Sequence, residues 1–308
     1  MFVLVIIELL KGSENMKKIG FIGLGSMGLP MALNLCKAGY EVLVCSSNIE
    51  SEQKIIDSGG RKVSSFVEMA SQSDVLITIV PADKEIIEVY LSENGILNNA
   101  KDGLICIDMT SAKGSTKQMV ANDIAEKSRN IKFADAPVSG GVPGAEAGTL
   151  TIMVGSEREL FDNITDVLSA MGKKLIHTGE VGSASNIKML NQMLGAANTA
   201  IVCEVLNISR KLGVDDNIMY DVIKDSSGSS FVFNNYMPTR HIPADYNASF
   251  KLALMNKDVG IFKDTANELK GFTPISNMVS QVYQAMVNRG QGDMDFNIIY
   301  EWFRENQK

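Results

Sequence analysis

The chain has 308 residues, of which 45% are hydrophobic and 21% charged, with 29 Lys and Arg against 36 Asp and Glu. This length exceeds what one hydrophobic core usually serves, so two domains of an ordinary globular protein are expected. A formal net charge of −7 with no long Lys/Arg block leaves a nucleic-acid partner without an electrostatic footing.

Residues 1–15, MFVLVIIELLKGSEN, carry an apolar run too short to span a bilayer, and Glu8 interrupts it. They lack the basic start and small-residue cleavage site of a secretory signal. They are read as an extension outside the fold, which then starts at Met16, and no membrane partner is expected. Short β-branched apolar runs follow at Lys18–Gly23, Glu41–Cys45, Asp74–Val80, Leu104–Asp108, Ile131–Ala134, Leu150–Val154 and Lys174–His177. Segments of helical period lie between most of them, such as Met27–Ala38 and Ser115–Ser128. This alternation predicts an α/β domain with a parallel sheet over residues 16–181, its strands apolar throughout because both faces are buried.

After Gly182 the texture changes. Ile187, Leu190, Leu194, Ala197, Ile201, Val205, Ile208 and Leu212 step by three or four residues, as one stripe of a single long helix does. Gly213 follows as a C-cap. Helices are predicted at Asn217–Lys224, Leu252–Glu268, Ile275–Asn288 and Asp295–Glu305, with no second strand pattern. Residues 182–308 therefore read as an all-helical domain led by the long helix. Cys36, Cys45, Cys106 and Cys203 are widely spaced and form no C-x-x-C pair, so they read as reduced thiols of a cytoplasmic protein. His177 and His241 have no metal-ligand spacing, and no metal is expected.

Three stretches carry chemistry. In GFIGLGSMGLPMALNL, residues 20–35, the segment Gly23-Leu24-Gly25-Ser26-Met27-Gly28 follows a strand and opens a helix. Gly23 permits the tight turn, Gly25 lets the backbone approach a pyrophosphate, and Gly28 lets helix and strand pack closely. The helix N-terminus offers free N–H groups to the phosphates. The acid expected some twenty residues on, at the adenosine ribose, is absent: the place reads Cys45-Ser46-Ser47-Asn48, without a carboxylate or an arginine. Ser46, Ser47 and Asn48 are suited to donate to a 2′-phosphate, so both cofactors are admissible, with a lean to NADP over NAD.

The second stretch, DAPVSGGVPGAEAGTL at 135–150, follows a strand end and so lies on the ligand-bearing edge of an open sheet. Ser139 and the N–H groups of Gly140 and Gly141 form either a small anion nest suited to a carboxylate or an ordinary long loop. In the third, Lys188, Asn191, Gln192 and Gly195 fall at i, i+3, i+4 and i+7, one helical face beside the apolar stripe. Lys188 is either a solvated charge or, among these amides at a domain junction, a general acid–base.

Together the three stretches resemble the β-hydroxyacid dehydrogenase family, over residues from about Lys17 to the C-terminus. The resemblance implies a Rossmann domain, a long interdomain helix and an all-helical C-terminal domain for substrate binding and dimerisation. It implies reversible oxidation of a small hydroxy acid to the aldehyde or keto acid with NAD or NADP, and a homodimer or homotetramer. By the same resemblance Lys188 is the catalytic lysine. Ser139, Gly140 and Gly141 hold the substrate carboxylate, Asn191 or Gln192 positions the substrate, and Phe231 is an aromatic on the substrate side. Thr110 in Asp108-Met-Thr-Ser lies near the nicotinamide, Val80 and Pro81 line the cofactor, and Lys257 in Asn256-Lys-Asp258 reaches it from the second domain. Two departures stand out: Ala184 where the family often has glycine, and Ser46-Ser47 in place of the usual acid or Asn-Arg. The competing readings are an NADP-sensing protein of the same fold that has lost its chemistry, and an imine reductase-like enzyme; Lys188 speaks against both.

Overall fold

The structure is a computed structural model that describes residues 17–127 and 130–306. The extension expected at residues 1–15, the start at Met16 and the expected helix end at Ser128 lie outside the described residues. The chain divides into two compact units after Lys188.

The first unit holds a nine-stranded sheet: β1 (Lys18–Ile22), β2 (Glu41–Val44), β3 (Arg61–Lys62), β4 (Val75–Thr78), β5 (Ile105–Asp108), β6 (Lys132–Asp135), β7 (Val138–Ser139), β8 (Leu150–Gly155) and β9 (Gly172–Gly179). The order is β3-β2-β1-β4-β5-β6-β8-β7, with β9 paired to β8. Helices α1 (Gly28–Lys37), α2 (Ile49–Asp57), α3 (Phe66–Gln72), α4 (Asp83–Leu91), α5 (Ile96–Asn99), α6 (Gly114–Glu126), α7 (Gly141–Glu146) and α8 (Arg158–Ser169) connect them. One apolar cluster takes Ile19, Phe21 and Ile107, the other Ile22, Leu76 and Cys106. Neighbouring residues of one strand thus feed opposite cores, which is why the strand runs read as continuously apolar.

The expected parallel sheet is parallel from β3 to β6 and again between β8 and β9. It departs at β8, which runs antiparallel to both β6 and β7. A parallel crossover needs a dozen or more residues and usually a full helix. Between β7 and β8 the chain has only residues 140–149 with the six-residue α7, so it turns back. The two-residue strands β3 and β7 are too short to show a sequence period.

The second unit is helical: α10 (Asp216–Ile223), α11 (Phe231–Tyr236), α12 (Leu252–Glu268), α13 (Pro274–Met286) and α14 (Tyr300–Glu305). The predicted Asp295–Glu305 helix divides into a 3₁₀ turn, Phe296–Ile299, and α14. One helix, α9 (Ser183–Lys211), runs 29 residues through the division between the units. Gly213 follows it at φ +73°, as a C-cap requires. The predicted stripe does not face the core. Ile187, Leu190, Leu194, Ile201, Val205, Ile208 and Leu212 are all exposed. The packed face of the helix is Met193, Ala196, Ala200, Cys203 and Leu206, in the cluster with Phe233, Tyr283 and Ile299. Two apolar faces share this helix, and the inner one mixes small side chains, Ala196, Ala200 and Cys203, with Met193 and Leu206.

His241 is fully buried in this helical unit. Its ring lies against those of Tyr246 and Tyr300, and its carbonyl accepts from Arg210. Burial, aided by the Arg210 charge and opposed by Asn297, Asp295 and Asp216, pushes its pKa down to about 4. A histidine depressed in the folded state is protonated first in the unfolded chain, so stability falls as pH drops below about 6.5 and goes on falling to the folded value. Between pH 7 and pH 5 the loss is about 2 kcal/mol from this residue. Urea unfolding at the two pH values is expected to show that loss in the wild type and to show it reduced in His241→Asn; equal losses would remove His241 as the cause.

Candidate active site

The glycine-rich turn sits between β1 and α1. Gly23 has φ +102°, and a Cβ there would strike the Ile79 carbonyl; at Gly28 it would strike the carbonyl of Gly23. Gly25 differs, with open space within 4 Å of where its Cβ would stand. Leu24 is buried and Ser26 exposed. The cap residue Met27 makes no side-chain hydrogen bond to α1, whose first turn holds no acid. In that turn the Leu29 amide already donates to the Gly25 carbonyl at 3.0 Å and Pro30 has no N–H, so a phosphate here is to be met by the N–H groups of the glycine turn rather than by a full turn of the helix. The turn is tight at Gly23 and Gly28 and clear at Gly25, which fits a dinucleotide pyrophosphate.

At the end of β2 the structure adds two charged residues that the sequence reading missed. The Ser46 amide donates to Glu52 Oε2 at 3.0 Å, and Lys62 Nζ to Glu52 Oε1 at 2.6 Å. These bonds hold the buried Glu52 carboxyl below the usual range, with the Lys62 bond the larger cause. Asn48 accepts from the Ser51 amide and caps α2, and its own amide donates to Ser46 Oγ at 3.1 Å. No local signal marks Glu52, because only the turn of α2 over β2 and the pairing of β3 bring it to Ser46.

Thr110 and Val80 meet directly: the Val80 amide donates to Thr110 Oγ1 at 3.0 Å. Pro81 is the next residue, at the start of the turn into α4. Beneath them Asp108, fully buried at the end of β5, accepts from the Thr110 amide at 3.0 Å, from Thr78 Oγ1 and from Lys117 Nζ. Lys117 is also fully buried and donates to the Thr110 carbonyl at 3.1 Å. A buried ion pair needs such extra hydrogen bonds to offset the desolvation of both charges. Here they fix Thr110 by its amide, carbonyl and hydroxyl.

Ser139 is on β7, opposite Thr151. Gly140 and Gly141 follow at φ +138° and +63°, conformations that L side chains rarely adopt. The chain bends there into α7, with Gly140 exposed and Ser139 and Gly141 partly so. Lys188 lies in the second turn of α9 and is 8% exposed, as is Gln192 one turn on; Asn191 between them is exposed. Asn191 Nδ2 donates to Gln192 Oε1 at 3.1 Å, and Gln192 Nε2 to Asp258 Oδ2 at 2.8 Å. Lys257 Nζ lies 3.2 Å from Asp258 Oδ1. The structure therefore brings Gln192 and Lys257 onto one buried carboxylate, Asp258, which the sequence reading quoted but gave no role. Phe231 is exposed at the start of α11, edge-on to Tyr236.

A doubly wound domain with a clear glycine turn at the end of its first strand, joined through a long helix to an all-helical unit, defines an NAD(P)-dependent oxidoreductase. Residues 18–179 match the model of the NAD binding domain of 6-phosphogluconate dehydrogenase, and residues 182–303 that of the NAD-binding region of NADP-dependent 3-hydroxyisobutyrate dehydrogenase. A 2-(hydroxymethyl)glutarate dehydrogenase of Eubacterium barkeri is 34% identical over 286 residues, 93% of this chain and 94% of its own length. A probable mitochondrial 3-hydroxyisobutyrate dehydrogenase of Dictyostelium discoideum is 33% identical over 302 residues, 96% of this chain and 94% of its own. The structure of a Mycobacterium tuberculosis 3-hydroxyisobutyrate dehydrogenase with L-serine superposes at a TM-score of 0.88 with 28% identity, covering 94% of this chain and all of that one. The chain belongs to the β-hydroxyacid dehydrogenase family, and it is a hydroxyacid dehydrogenase acting on CH–OH with NAD or NADP.

Proposed function

We propose that the chain oxidises, reversibly, a small carboxylate bearing a hydroxymethyl group, with Lys188 as the acid–base. The observation that carries this reading is a buried lysine sharing one helical face with Asn191 and Gln192. Both curated relatives described above are named for substrates of that kind, in which a CH₂OH group and a carboxylate share one neighbouring carbon. Ser139 and the amides of Gly140 and Gly141 hold the carboxylate. Asn191 and Gln192 orient the hydroxyl, and Asp258 fixes the Gln192 amide. Bound NAD(P)⁺ supplies the hydride acceptor. As the C–H bond breaks, unprotonated Lys188 takes the hydroxyl proton and the C–O bond becomes the aldehyde carbonyl; in reduction the protonated amine returns it. Lys188→Ala is expected to lower kcat by about 10²- to 10⁴-fold with cofactor affinity little changed. Near-wild-type turnover with an unaltered pH profile would remove the lysine from this role.

NADP is the preferred cofactor in this reading. The Glu52 carboxylate beside Ser46 already accepts from Lys62 and from the Ser46 amide, so it is not free to take the ribose diol. Lys62 balances the Glu52 charge, so no uncompensated carboxylate stands here to repel a 2′-phosphate. Ser46→Asp is expected to shift the ratio of kcat/KM for NADP and NAD toward NAD. A wild type strongly selective for NAD would contradict the reading.

The partner of the exposed face of α9 is a second copy of this chain. Seven Ile, Leu and Val side chains lie along it, each between 44% and 75% exposed. Paired with itself, the face would bury roughly 1,400 Å² in total, the size of a stable interface. Leu194→Glu is expected to convert the oligomer to a monomer in light scattering; an unchanged mass would place the interface elsewhere. The free cysteines among the described residues fit a reducing compartment, and we assign the protein to the cytoplasm.

A further inference from the structure

Asp135 is a buried group that the chemistry above does not use. It ends β6 in register with Asp108 on β5 and is fully buried. Its Oδ2 accepts from the Ser185 amide at 2.8 Å. Ser185 is the third residue of α9, so its amide has no carbonyl within the helix to bond. The neighbouring amides are otherwise supplied: Ser183 donates to the Glu180 carbonyl and Asn186 to that of Gly182, both at 3.0 Å. Lys188 stands three residues beyond Ser185, one turn along the same face. Gly155 faces the carboxyl from β8, and a Cβ there would strike Asp135 Oδ1. Burial raises the Asp135 pKa, while the Ser185 amide and the Lys117 charge hold it down.

Asp135 is also the first residue of the segment that carries Ser139. That segment is tied at its start: the Ala136 amide donates to the Asp108 carbonyl at 2.7 Å, and the Met153 amide to the Pro137 carbonyl at 3.1 Å. One side chain therefore links the base of the Ser139–Gly141 loop to the first turn of the lysine helix.

We propose that Asp135 is a positioning residue: by accepting from the Ser185 amide it sets Lys188 against the loop that holds the substrate carboxylate. This rests on the reading of Lys188 as the acid–base. What the link needs is an acceptor oxygen at this place, which a carboxylate, a neutral carboxyl and an amide all supply. Because a misplacement near 1 Å can cost about 10²-fold in rate, its loss falls on kcat.

The test uses the full-length enzyme with NADP and whichever of 3-hydroxyisobutyrate and 2-(hydroxymethyl)glutarate the wild type turns over faster. Asp135→Ala is expected to lower kcat about 10- to 100-fold, with the Kd for NADPH, read by its fluorescence, within about twofold of wild type. Asp135→Asn is expected to restore kcat to within about threefold of wild type, since the acceptor remains. Ser185→Pro removes the donor from the other side, in a helix turn that tolerates proline; it is expected to reproduce the loss and keeps the question open to test if Asp135→Ala does not fold. Added to Lys188→Ala, Asp135→Ala is expected to cause no further loss. Wild-type kcat in Asp135→Ala, an Asn variant as impaired as the Ala one, or a loss that persists undiminished beside Lys188→Ala would overturn the proposal. If Lys188→Ala alone keeps its turnover, the failure is that of the lysine reading; if only Lys188→Ala is impaired, the failure is that of Asp135.

Discussion

Two carboxylates, Asp108 and Asp135, stand in register at the carboxyl ends of β5 and β6, both fully buried. Neither is tolerable there without partners, because a buried charge that is not paired and hydrogen-bonded is costly. The fold answers each differently. Asp108 is met by a charge, the buried Lys117, and by the hydroxyl of Thr78, which also bonds Tyr90. Asp135 is met by the amide of Ser185, and burial leaves its carboxyl with a raised pKa. The first answer fixes Thr110 and, through it, Val80; the second fixes the start of α9. The edge of the sheet that faces a dinucleotide in this class of fold is thus set by the need to satisfy two acids just beneath it.

Much of this was legible in the sequence, for physical reasons that can be named. Strands covered on both faces are apolar along most of their length, so β1, β2, β4, β5 and β8 announced themselves and the order of the chemistry along the chain followed. The glycine turn was legible because two of its residues forbid a side chain by close packing and the third leaves space for a ligand. Helical spacing put Lys188 and Gln192 on one face but left Lys188 open between a solvated charge and an acid–base; the family resemblance supplied the role, and both side chains are buried in the structure.

What was not legible depends on contacts between distant parts of the chain. Glu52, Lys62 and Asp258 look like surface charges in a helix or a short strand, and their roles exist only once β3 pairs with β2 or α12 packs beside α9. The antiparallel turn at β8 was hidden because a two-residue strand has no period. The orientation of α9 was misleading for another reason: it has two apolar faces, and the Ile and Leu side chains that dominate the pattern face outward, while Ala196, Ala200 and Cys203 pack inside with Met193 and Leu206. Periodicity reports that a face is apolar, not which partner covers it.

The account turns on whether this site moves a hydride from a carbon that bears a hydroxyl group. The most direct measurement is a single turnover of enzyme and oxidised NADP with 3-hydroxyisobutyrate or 2-(hydroxymethyl)glutarate, followed by the absorbance of the reduced nicotinamide and repeated with deuterium on the hydroxymethyl carbon. The account predicts one reduced nicotinamide for each aldehyde formed, appearing more slowly from the deuterated acid. Tight cofactor binding with no reduced nicotinamide from either hydroxy acid would contradict it.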